Sequence, residues 1–296
     1  MAQFKTYDQV GDKEDVSNII SNLTPTRTPF TSGIGTESIH NTLFQWQEDE
    51  LRAVQENAQV EGFTAQDATL SPTRMRNNVT QILEKTIKVS GSADKRDTYG
   101  RAKESAYQMG KAMAEVKRDL EHAAIGTGQT KVEGDSNTAR KFAGFQAQVD
   151  STHIVEEAFG GLTEGKLLST LQLLWNAGAE PNAVMVTGDN AIRVAEFAKA
   201  SGRQRNVDAE TKIVNAIDLY VSPFGKVAIQ LNRFLKAGDT LVYDPADWKL
   251  AVFRNWFRET LAKDGDSTKM MVVGEFSLKH KNYKASAVIR EAASEG

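Results

Sequence analysis

The sequence predicts an α+β fold, on three observations. Several stretches, such as residues 77–93, alternate apolar and polar side chains with the period of two that is typical of β-strands. The stretch from Thr98 to Ile125 instead repeats apolar residues at steps of three and four, which indicates an amphipathic α-helix. Helical and strand-like segments alternate from residue 160 onward, and further strands follow Asp239.

Composition narrows the function classes. The chain has 296 residues, 40% of them hydrophobic and 25% charged, which is ordinary for a globular protein with a sizeable core. Its 36 basic and 39 acidic residues nearly balance, which argues against a dedicated nucleic-acid-binding protein. The absence of cysteine excludes disulfides, thiolate zinc sites and a cysteine nucleophile, and it fits a reducing compartment. No signal peptide is recognisable at the N-terminus, and no apolar run is long enough to predict a membrane span.

Residues 1–39 are predicted to form an extended arm. Proline and glycine at positions 25, 29, 33 and 35 interrupt regular structure there. Phe30 and Ile34 are the large apolar side chains in this part of the arm. Two interpretations stay open, a frayed terminus or an arm that becomes ordered by lying across a neighbouring subunit.

A projecting hairpin is predicted next, over residues 40–90. Thr42–Val54 alternates like a strand, Gln55–Pro72 is a polar tip, and Asn77–Ala93 alternates again. Because an isolated hairpin is only marginally stable in water, we expect this one to pack against something else.

The helix predicted at 98–125 would be about 40 Å long, at roughly 1.5 Å per residue. Asp97 or Thr98 is the expected N-cap, and Gly126 and Gly128 supply a stop. Its narrow, Ala-rich stripe suits a helix that lies along a sheet. The predicted packing face consists of Tyr99, Ala102, Ala106, Met109, Met113, Val116 and Leu120.

No motif in the chain indicates catalysis, a cofactor or a metal. The stretch Gly126–Lys131 (GTGQTK) lacks the spacing and the preceding strand of a phosphate-binding loop. The four histidines lack metal-ligand spacing, and no Gly-x-Ser-x-Gly elbow is present. Carboxylates from distant segments could still meet as an acid–base pair. The aromatic and basic stretch at 248–265 could suggest nucleic-acid stacking, but its alternation favours a core strand. We therefore expect a protein that is not an enzyme.

The order of these parts, together with four stretches, carries a resemblance. The stretches are TPTRTPF (24–30), NNVTQILEKTIKVSGSA (77–93), GRAKESAYQMGKAMAEVKRDLEHA (100–123) and GEFSLKHKNYKASAVI (274–289). In this order they resemble the major capsid proteins of tailed bacteriophages with the Hong-Kong-97-type fold, in the subgroup typified by the major head protein of phage SU-ten.

The resemblance implies a division of the chain into five parts. These are an N-terminal arm (1–39), an extended hairpin loop (40–90), a peripheral domain (91–159) with spine helix 98–125, an axial domain (160–235), and return strands of the peripheral domain (236–296).

The resemblance also implies function and partners. The chain would assemble with itself into hexamers and pentamers of an icosahedral shell, built in the bacterial cytoplasm and retained in the virion. The arm is too short to include a scaffolding region, so a separate scaffolding protein is expected. A portal and a decoration protein are the further candidate partners. Contact with packaged double-stranded DNA would be non-specific. No membrane partner and no particular Lys–Asn crosslink are predicted.

Phe30, Phe44, Trp46 and Phe63 are the candidate intersubunit contacts. Phe44 and Trp46 could equally pack on their own hairpin. Three alternatives to a phage major capsid protein remain at this point. One is an encapsulin-like bacterial nanocompartment shell, and the second is an α/β ligand-binding protein or enzyme that uses residues 167–189. The third is a phage tail or head-completion protein, which the long helix fits less well.

Overall fold

The structure is a computed structural model that describes residues 27–97 without 66 and 69, 103–157, 161–200, and 219–292 without 264. The helices in these ranges are α1 (Pro29–Gly33), α2 (Gly91–Lys95), α3 (Glu104–Glu121), α4 (Phe145–Gln148), α5 (Glu164–Asn176) and α6 (Gly188–Ala200). The strands are β1 (Gly35–Ser38), β2 (Leu43–Glu48), β3 (Arg74–Val79), β4 (Gln81–Ser90), β5 (Ile154–Glu157), β6 (Ala183–Val186), β7 (Leu219–Ser222), β8 (Gly225–Leu231), β9 (Asp239–Tyr243), β10 (Trp248–Thr260), β11 (Ser267–His280) and β12 (Ala287–Glu291). No described helix combines the length and apolar composition needed to cross a membrane.

A four-stranded sheet in the order β1-β10-β11-β4 carries the long helix α3. The sheet is antiparallel except for β1, which pairs parallel with the start of β10. Met109 and Val116 of α3 pack on Val272 of β11, with Ile87 and Met270 beside them. The expected helix along a sheet is therefore observed.

The structure contains a shorter hairpin than the sequence predicts, in which β2 pairs with β3 from Leu43 opposite Val79 to Glu48 opposite Arg74. Only Thr80 separates β3 from β4, and at this residue the chain changes partners. β3 pairs with β2 in the hairpin, whereas β4 pairs with β11 in the four-stranded sheet. One nearly continuous stretch of chain thus belongs to both the projection and the body.

The long helix begins later than the sequence predicts. Lys103 has extended backbone with φ −136°, and Asp94 accepts a hydrogen bond from the Ser105 backbone N–H at 2.9 Å. Asp97 is outside any helix, while the alternative cap Thr98 lies outside the described residues. At the other end, α3 runs into a π-helical turn, His122–Gly126.

The packing face of α3 also differs in part from the prediction. Met109, Val116 and Leu120 are buried and Met113 is half-buried, but Ala106 is exposed in the first turn. Ala112, three residues after Met109 and four before Val116, lies on the buried face instead. Tyr99 and Ala102 lie outside the described residues.

A six-stranded sheet in the order β5-β12-β9-β6-β8-β7 crosses the predicted domain boundaries. β6, β7 and β8 come from the segment 160–235, but β9 and β12, predicted as return strands of the peripheral domain, pair within the same sheet. All five residues of β9 are buried. Its last three residues, Leu241–Tyr243, form an apolar run that indicates a central strand without indicating its sheet.

Two large apolar cores lie on the two faces of the six-stranded sheet. One contains aromatic side chains from the beginning of α1, from α4 and from the start of β10, together with Tyr243 of β9. The other lies under α5 and α6, against the six-stranded sheet. On α5, Leu167, Leu171 and Leu174 are buried, whereas Trp175 is 56% exposed.

Candidate functional site: the hairpin root and the hairpin tip

The hairpin joins the body through a buried polar segment, Asn78–Thr80, called here the hairpin root. The side chain of Asn78 is 0% exposed. Its amide nitrogen donates to the Leu278 carbonyl at 2.7 Å and to the Ala143 carbonyl at 3.3 Å. Its amide oxygen accepts from the N–H groups of Ala143 at 2.8 Å and Val79 at 2.9 Å. One side chain therefore ties the hairpin to two separate segments of the body.

Thr80 adds a second attachment through a buried carboxylate. Its hydroxyl donates to Glu275 of β11, which is 2% exposed. Glu275 also accepts from Arg140 at 2.7 Å and from Arg254 at 2.9 Å. Because both guanidinium groups keep part of their surface in water, the buried charge is balanced without burying two cations.

Gln148 and His280 extend this network into the core. The Gln148 amide nitrogen donates to the Ala143 and Leu278 carbonyls, the acceptors that Asn78 also uses. His280 stacks on Trp248 at 3.9 Å, and its Nε2 lies 3.0 Å from the Ser286 hydroxyl. Burial lowers the pKa of His280 to about 3, so its imidazole is neutral at physiological pH.

The two strands of the hairpin are held by aromatic and charged contacts. Phe44 and Trp46 are half-buried and stack on each other, with ring centroids 5.5 Å apart. Arg76 pairs with Glu48 at 3.0 Å and lies 4.0 Å above the ring of Tyr283. These contacts fit the interpretation in which Phe44 and Trp46 pack on their own hairpin.

Glu50 continues the charged contacts beyond the end of β2. It pairs with Lys284, and this hydrogen bond lowers the pKa of Glu50 and raises that of Lys284. The end of β2 that is farther from the root is therefore attached to the loop that precedes β12.

The far end of the hairpin, residues 55–72, is called here the hairpin tip. Val60 is 77% exposed, Phe63 57% and Leu70 87%. The Phe63 N–H donates to the Val60 carbonyl at 3.1 Å, and Gly62 has φ +79°, so a tight turn brings Val60 and Phe63 together around Glu61. The tip contains three carboxylates, Glu56, Glu61 and Asp67, and no lysine or arginine.

Phe30 is not available as an intersubunit contact, and that prediction is corrected. It is 0% exposed and packs edge-on against Phe145, Tyr243 and Trp248, at centroid distances of 5.8, 5.6 and 6.0 Å. A large aromatic ring in a Pro- and Gly-rich segment is the group with most to gain from burial. Phe30 therefore attaches the arm to its own subunit.

A second buried carboxylate holds the arm in place. Glu121, at the end of α3, accepts from the N–H groups of Phe30 and Thr31 at 2.8 Å each and from the Asn232 amide at 2.6 Å. Burial, and then the negative charge of Glu121, raise the pKa of the nearby Tyr243 hydroxyl. Free N–H groups at the start of α1 thus find an acceptor on α3.

Sequence reasoning missed Asn78, Glu121 and Glu275. Glu275 offered a usable signal, since it is a lone carboxylate within the apolar strand sequence MMVVGEFSL. Glu121 had the appearance of an exposed partner for Lys117, four residues earlier on the helix. Asn78 had no signal, because three of its four hydrogen bonds go to Ala143 and Leu278, which the sequence does not reveal as neighbours.

The buried polar side chains of the hairpin root and of the arm serve as anchors. Across the described ranges, no three His, Asp or Glu side chains come together in a way that could hold a metal ion. The buried carboxylates of Glu121 and Glu275 are occupied by backbone, amide, hydroxyl and guanidinium donors. What the arrangement does is hold an exposed, acidic and apolar tip away from the body on a fixed base.

Comparisons with known proteins agree with this picture. The family model described as SU10 major capsid protein matches residues 2–293. The major capsid protein of Escherichia phage Phieco32 is 32% identical over an alignment 342 positions long, covering 98% of this chain and 97% of that protein.

Solved structures give the fold. The capsid of a native GTA particle matches with a TM-score of 0.69 and 13% identity, covering 97% of this chain and 98% of the other. A structure from Gordonia phage Cozz has a TM-score of 0.68 and 12% identity, with 97% and 93% covered. The holo-SrpI encapsulin complex from Synechococcus elongatus PCC 7942 has a TM-score of 0.66 and 10% identity, with 98% and 96% covered. The predicted Hong-Kong-97-type fold is confirmed.

Proposed function

The chain belongs to the SU10 major capsid protein family, and from this we propose that its copies form hexamers and pentamers of an icosahedral phage head. As a major capsid protein, it is a structural component of the virion capsid. The observation that carries the finer proposal is the hairpin, which is fixed at its root and exposes a tip with no core of its own.

In the proposed assembly, the hairpin of each subunit reaches over an adjacent subunit. A rigid root suits this role, because a tip held in one direction loses less conformational freedom on binding. Each such contact is repeated by the symmetry of the shell, so a modest contact area per subunit becomes a large total. Phe63 is the proposed apolar anchor of the tip, and Phe44 and Trp46 stiffen the strands that carry it.

The five-part division predicted from the sequence is proposed with one adjustment. The arm (1–39), hairpin loop (40–90), peripheral segment (91–159) and axial segment (160–235) are kept. In the closing segment (236–296), β10 and β11 join β4 beneath α3, whereas β9 and β12 complete the six-stranded sheet. That adjustment follows strand pairing, which connects residues far apart in sequence.

Further partners belong to the same proposal. A separate scaffolding protein, a portal and a decoration protein would complete the head, which would be assembled in the bacterial cytoplasm. Contact with packaged double-stranded DNA would be weak and non-specific, which is compatible with a net charge of −3. The chain would act without a cofactor or metal and without catalysing a reaction.

A phage capsid is favoured over an encapsulin-like nanocompartment by the kind of similarity found. The phage relative is 32% identical over nearly the whole chain. The encapsulin is similar in fold at 10% identity, which carries no functional argument.

The test is deletion of the tip, residues 55–72. We expect a folded subunit with an unchanged circular dichroism spectrum, because the exposed tip contributes little to either core. We also expect that electron microscopy shows no closed shells, since the contact between neighbours is lost. The protein is expressed alone and with the products of the neighbouring genes, so that a required scaffolding protein is present.

The control replaces the tip by a Gly–Ser linker of equal length. This variant keeps the length of the connection and removes the side chains, and it should also fail to close shells. Failure of the wild-type chain to form shells under any of these conditions would contradict the assembly proposal. Closed shells from the deletion variant would contradict only the role of the hairpin.

A further inference from the structure

We propose that a groove beside the arm receives the hairpin tip of a second copy of this chain, with Glu61 of the tip placed between Arg27 and Lys117. The groove lies between α1 with the two residues before it, the C-terminal half of α3, and β10, and has a volume of about 580 Å³. The inference rests on the proposed shell function, and it identifies the surface that the hairpin of the neighbouring subunit meets.

The groove has an apolar floor and a cationic rim. Leu120, Leu250 and Trp256 form the floor, and Thr31 lies on the wall that α1 contributes. Arg27 and Lys117 stand at the rim and are exposed. Within the described residues neither cation forms a salt bridge. Glu121, one helical turn after Lys117, accepts hydrogen bonds from the arm, and Glu115, two residues before Lys117, pairs with Lys85.

The tip has the complementary character. Glu61 lies between Val60 and Phe63, which the turn at Gly62 brings together. The resulting knob presents one carboxylate flanked by two exposed apolar side chains. The whole tip has three carboxylates and no cation. If this turn enters the groove, its carboxylate pairs with the cations of the rim, and its apolar side chains are buried against the apolar floor.

A second copy is the proposed occupant because, among the described residues of one subunit, neither the tip nor the groove is covered. Val60 and Phe63 remain exposed although their own subunit contains the groove. A tip that binds a different patch on the next copy makes a head-to-tail contact, and contacts of that kind generate rings. The same groove would then be filled once per subunit around the ring.

Crosslinking can test this directly, because the chain contains no cysteine. Cysteines are introduced as Glu61→Cys and Lys117→Cys, and assembled shells are treated with a short bis-maleimide. Denaturing electrophoresis should then show a ladder of covalently linked subunits. The matched control pairs Glu61→Cys with Lys111→Cys, an exposed position on the same helix outside the groove, and should give no ladder.

A charge exchange provides an independent measurement. Lys117→Glu or Glu61→Lys alone should lower the yield of shells about tenfold, because like charges would meet in the groove. The double variant should restore the yield to near that of the wild type.

The outcomes separate the two proposals. If wild-type subunits build no shells, the proposed function fails. If shells form but the Glu61–Lys117 pair gives no crosslink, or links only within one chain, the groove assignment is overturned. Normal shell yields from both single charge variants would overturn it as well.

Discussion

The hairpin root and the hairpin tip are parts of one hairpin with opposite chemistry. At the root, polar side chains are buried, and Asn78 alone makes four hydrogen bonds to the body and its own strand. At the tip, apolar side chains are exposed, with Phe63 57% accessible. This is the reverse of the usual distribution, in which apolar groups are buried and polar groups face water.

The difference shows that one part of the hairpin, the root, fixes its orientation, while another part, the tip, provides the surface that binds. Buried hydrogen bonds are directional, and breaking one leaves an unpaired group in a medium of low polarity, so the root has few alternative arrangements. Exposed apolar surface contributes nothing to the isolated subunit and becomes favourable when a partner covers it. The root therefore determines subunit stability, whereas the tip determines association. Four predictions test this division, in order of decreasing effect on the stability of the unassembled subunit.

The largest effect concerns pH and His280. The pKa of His280 is about 3 in the folded subunit, against an ordinary value near 6.5, so the unfolded chain binds the proton first as pH falls. The stability that the neutral imidazole contributes is therefore complete above pH ~6.5. Below that pH the free energy of unfolding falls by about 1.4 kcal/mol per pH unit, and the total loss approaches ~5 kcal/mol near pH 3. Urea unfolding of the unassembled subunit between pH 7 and pH 4 measures this loss.

Two variants isolate the contribution of His280. His280→Phe keeps an aromatic ring against Trp248 and removes the titrating group, so its stability should fall less steeply with acid. His40→Gln removes an exposed imidazole and should retain the wild-type slope. A slope for His280→Phe equal to that of the wild type would contradict the assignment.

The second prediction concerns Asn78→Ala. Ala143 and Val79 each lose the acceptor of a buried N–H, and at 1–3 kcal/mol for each unpaired group we expect a loss of about 3 kcal/mol. Chemical denaturation gives the free energy of unfolding. Asn77→Ala is the matched control, since Asn77 is the adjacent, exposed asparagine and its change should cost under about 0.5 kcal/mol. Equal losses in the two variants would refute the special role of the root.

The division between root and tip also explains what the sequence could predict. The hairpin, α3 and the strands β8 to β12 follow from periodicity, because half-buried strands and amphipathic helices repeat at fixed intervals. The late start of α3 did not follow, because the N–H of Ser105 in its first turn donates to Asp94, which lies eleven residues earlier in the chain. Phe30 was assigned to a neighbour because a one-dimensional pattern shows that an aromatic ring needs burial without showing where.

Buried polar residues are the hardest to predict from a pattern. Asparagine and glutamate are usually exposed on protein surfaces. Asn78 and Glu275 are buried here only because tertiary contacts to Ala143, Leu278 and Arg140 make their burial favourable. The tip was easier, because a polar segment between two strands is exposed whatever the rest of the fold does. The binding element was therefore predictable, and the buried root that positions it was not.

A third, smaller effect is expected for Glu275→Gln. The amide keeps an acceptor for the Thr80 hydroxyl but removes the charge that Arg140 and Arg254 share. The guanidinium groups are 30% and 44% exposed and can regain water, so we expect a loss of about 2 kcal/mol, below the usual 3–5 kcal/mol for breaking a buried pair. Glu84→Gln, an exposed change on β4, should leave the urea midpoint unchanged. A neutral Glu275→Gln would show that the hydroxyl contact alone holds the root.

The smallest effect on stability is expected from Val60→Ser combined with Phe63→Ser at the tip. Both side chains are mostly exposed and belong to neither core, so the free energy of unfolding should change by less than about 0.5 kcal/mol. Shell formation, followed by light scattering and electron microscopy, should nevertheless be strongly reduced, because the apolar surface that a neighbour would cover is gone. Leu70→Ser, which changes an exposed residue outside the turn, is the matched control and should reduce assembly less. If the double variant instead destabilised the isolated subunit as much as Asn78→Ala does, the tip would be part of the subunit core, and the contrast between a stabilising root and an associating tip would be wrong.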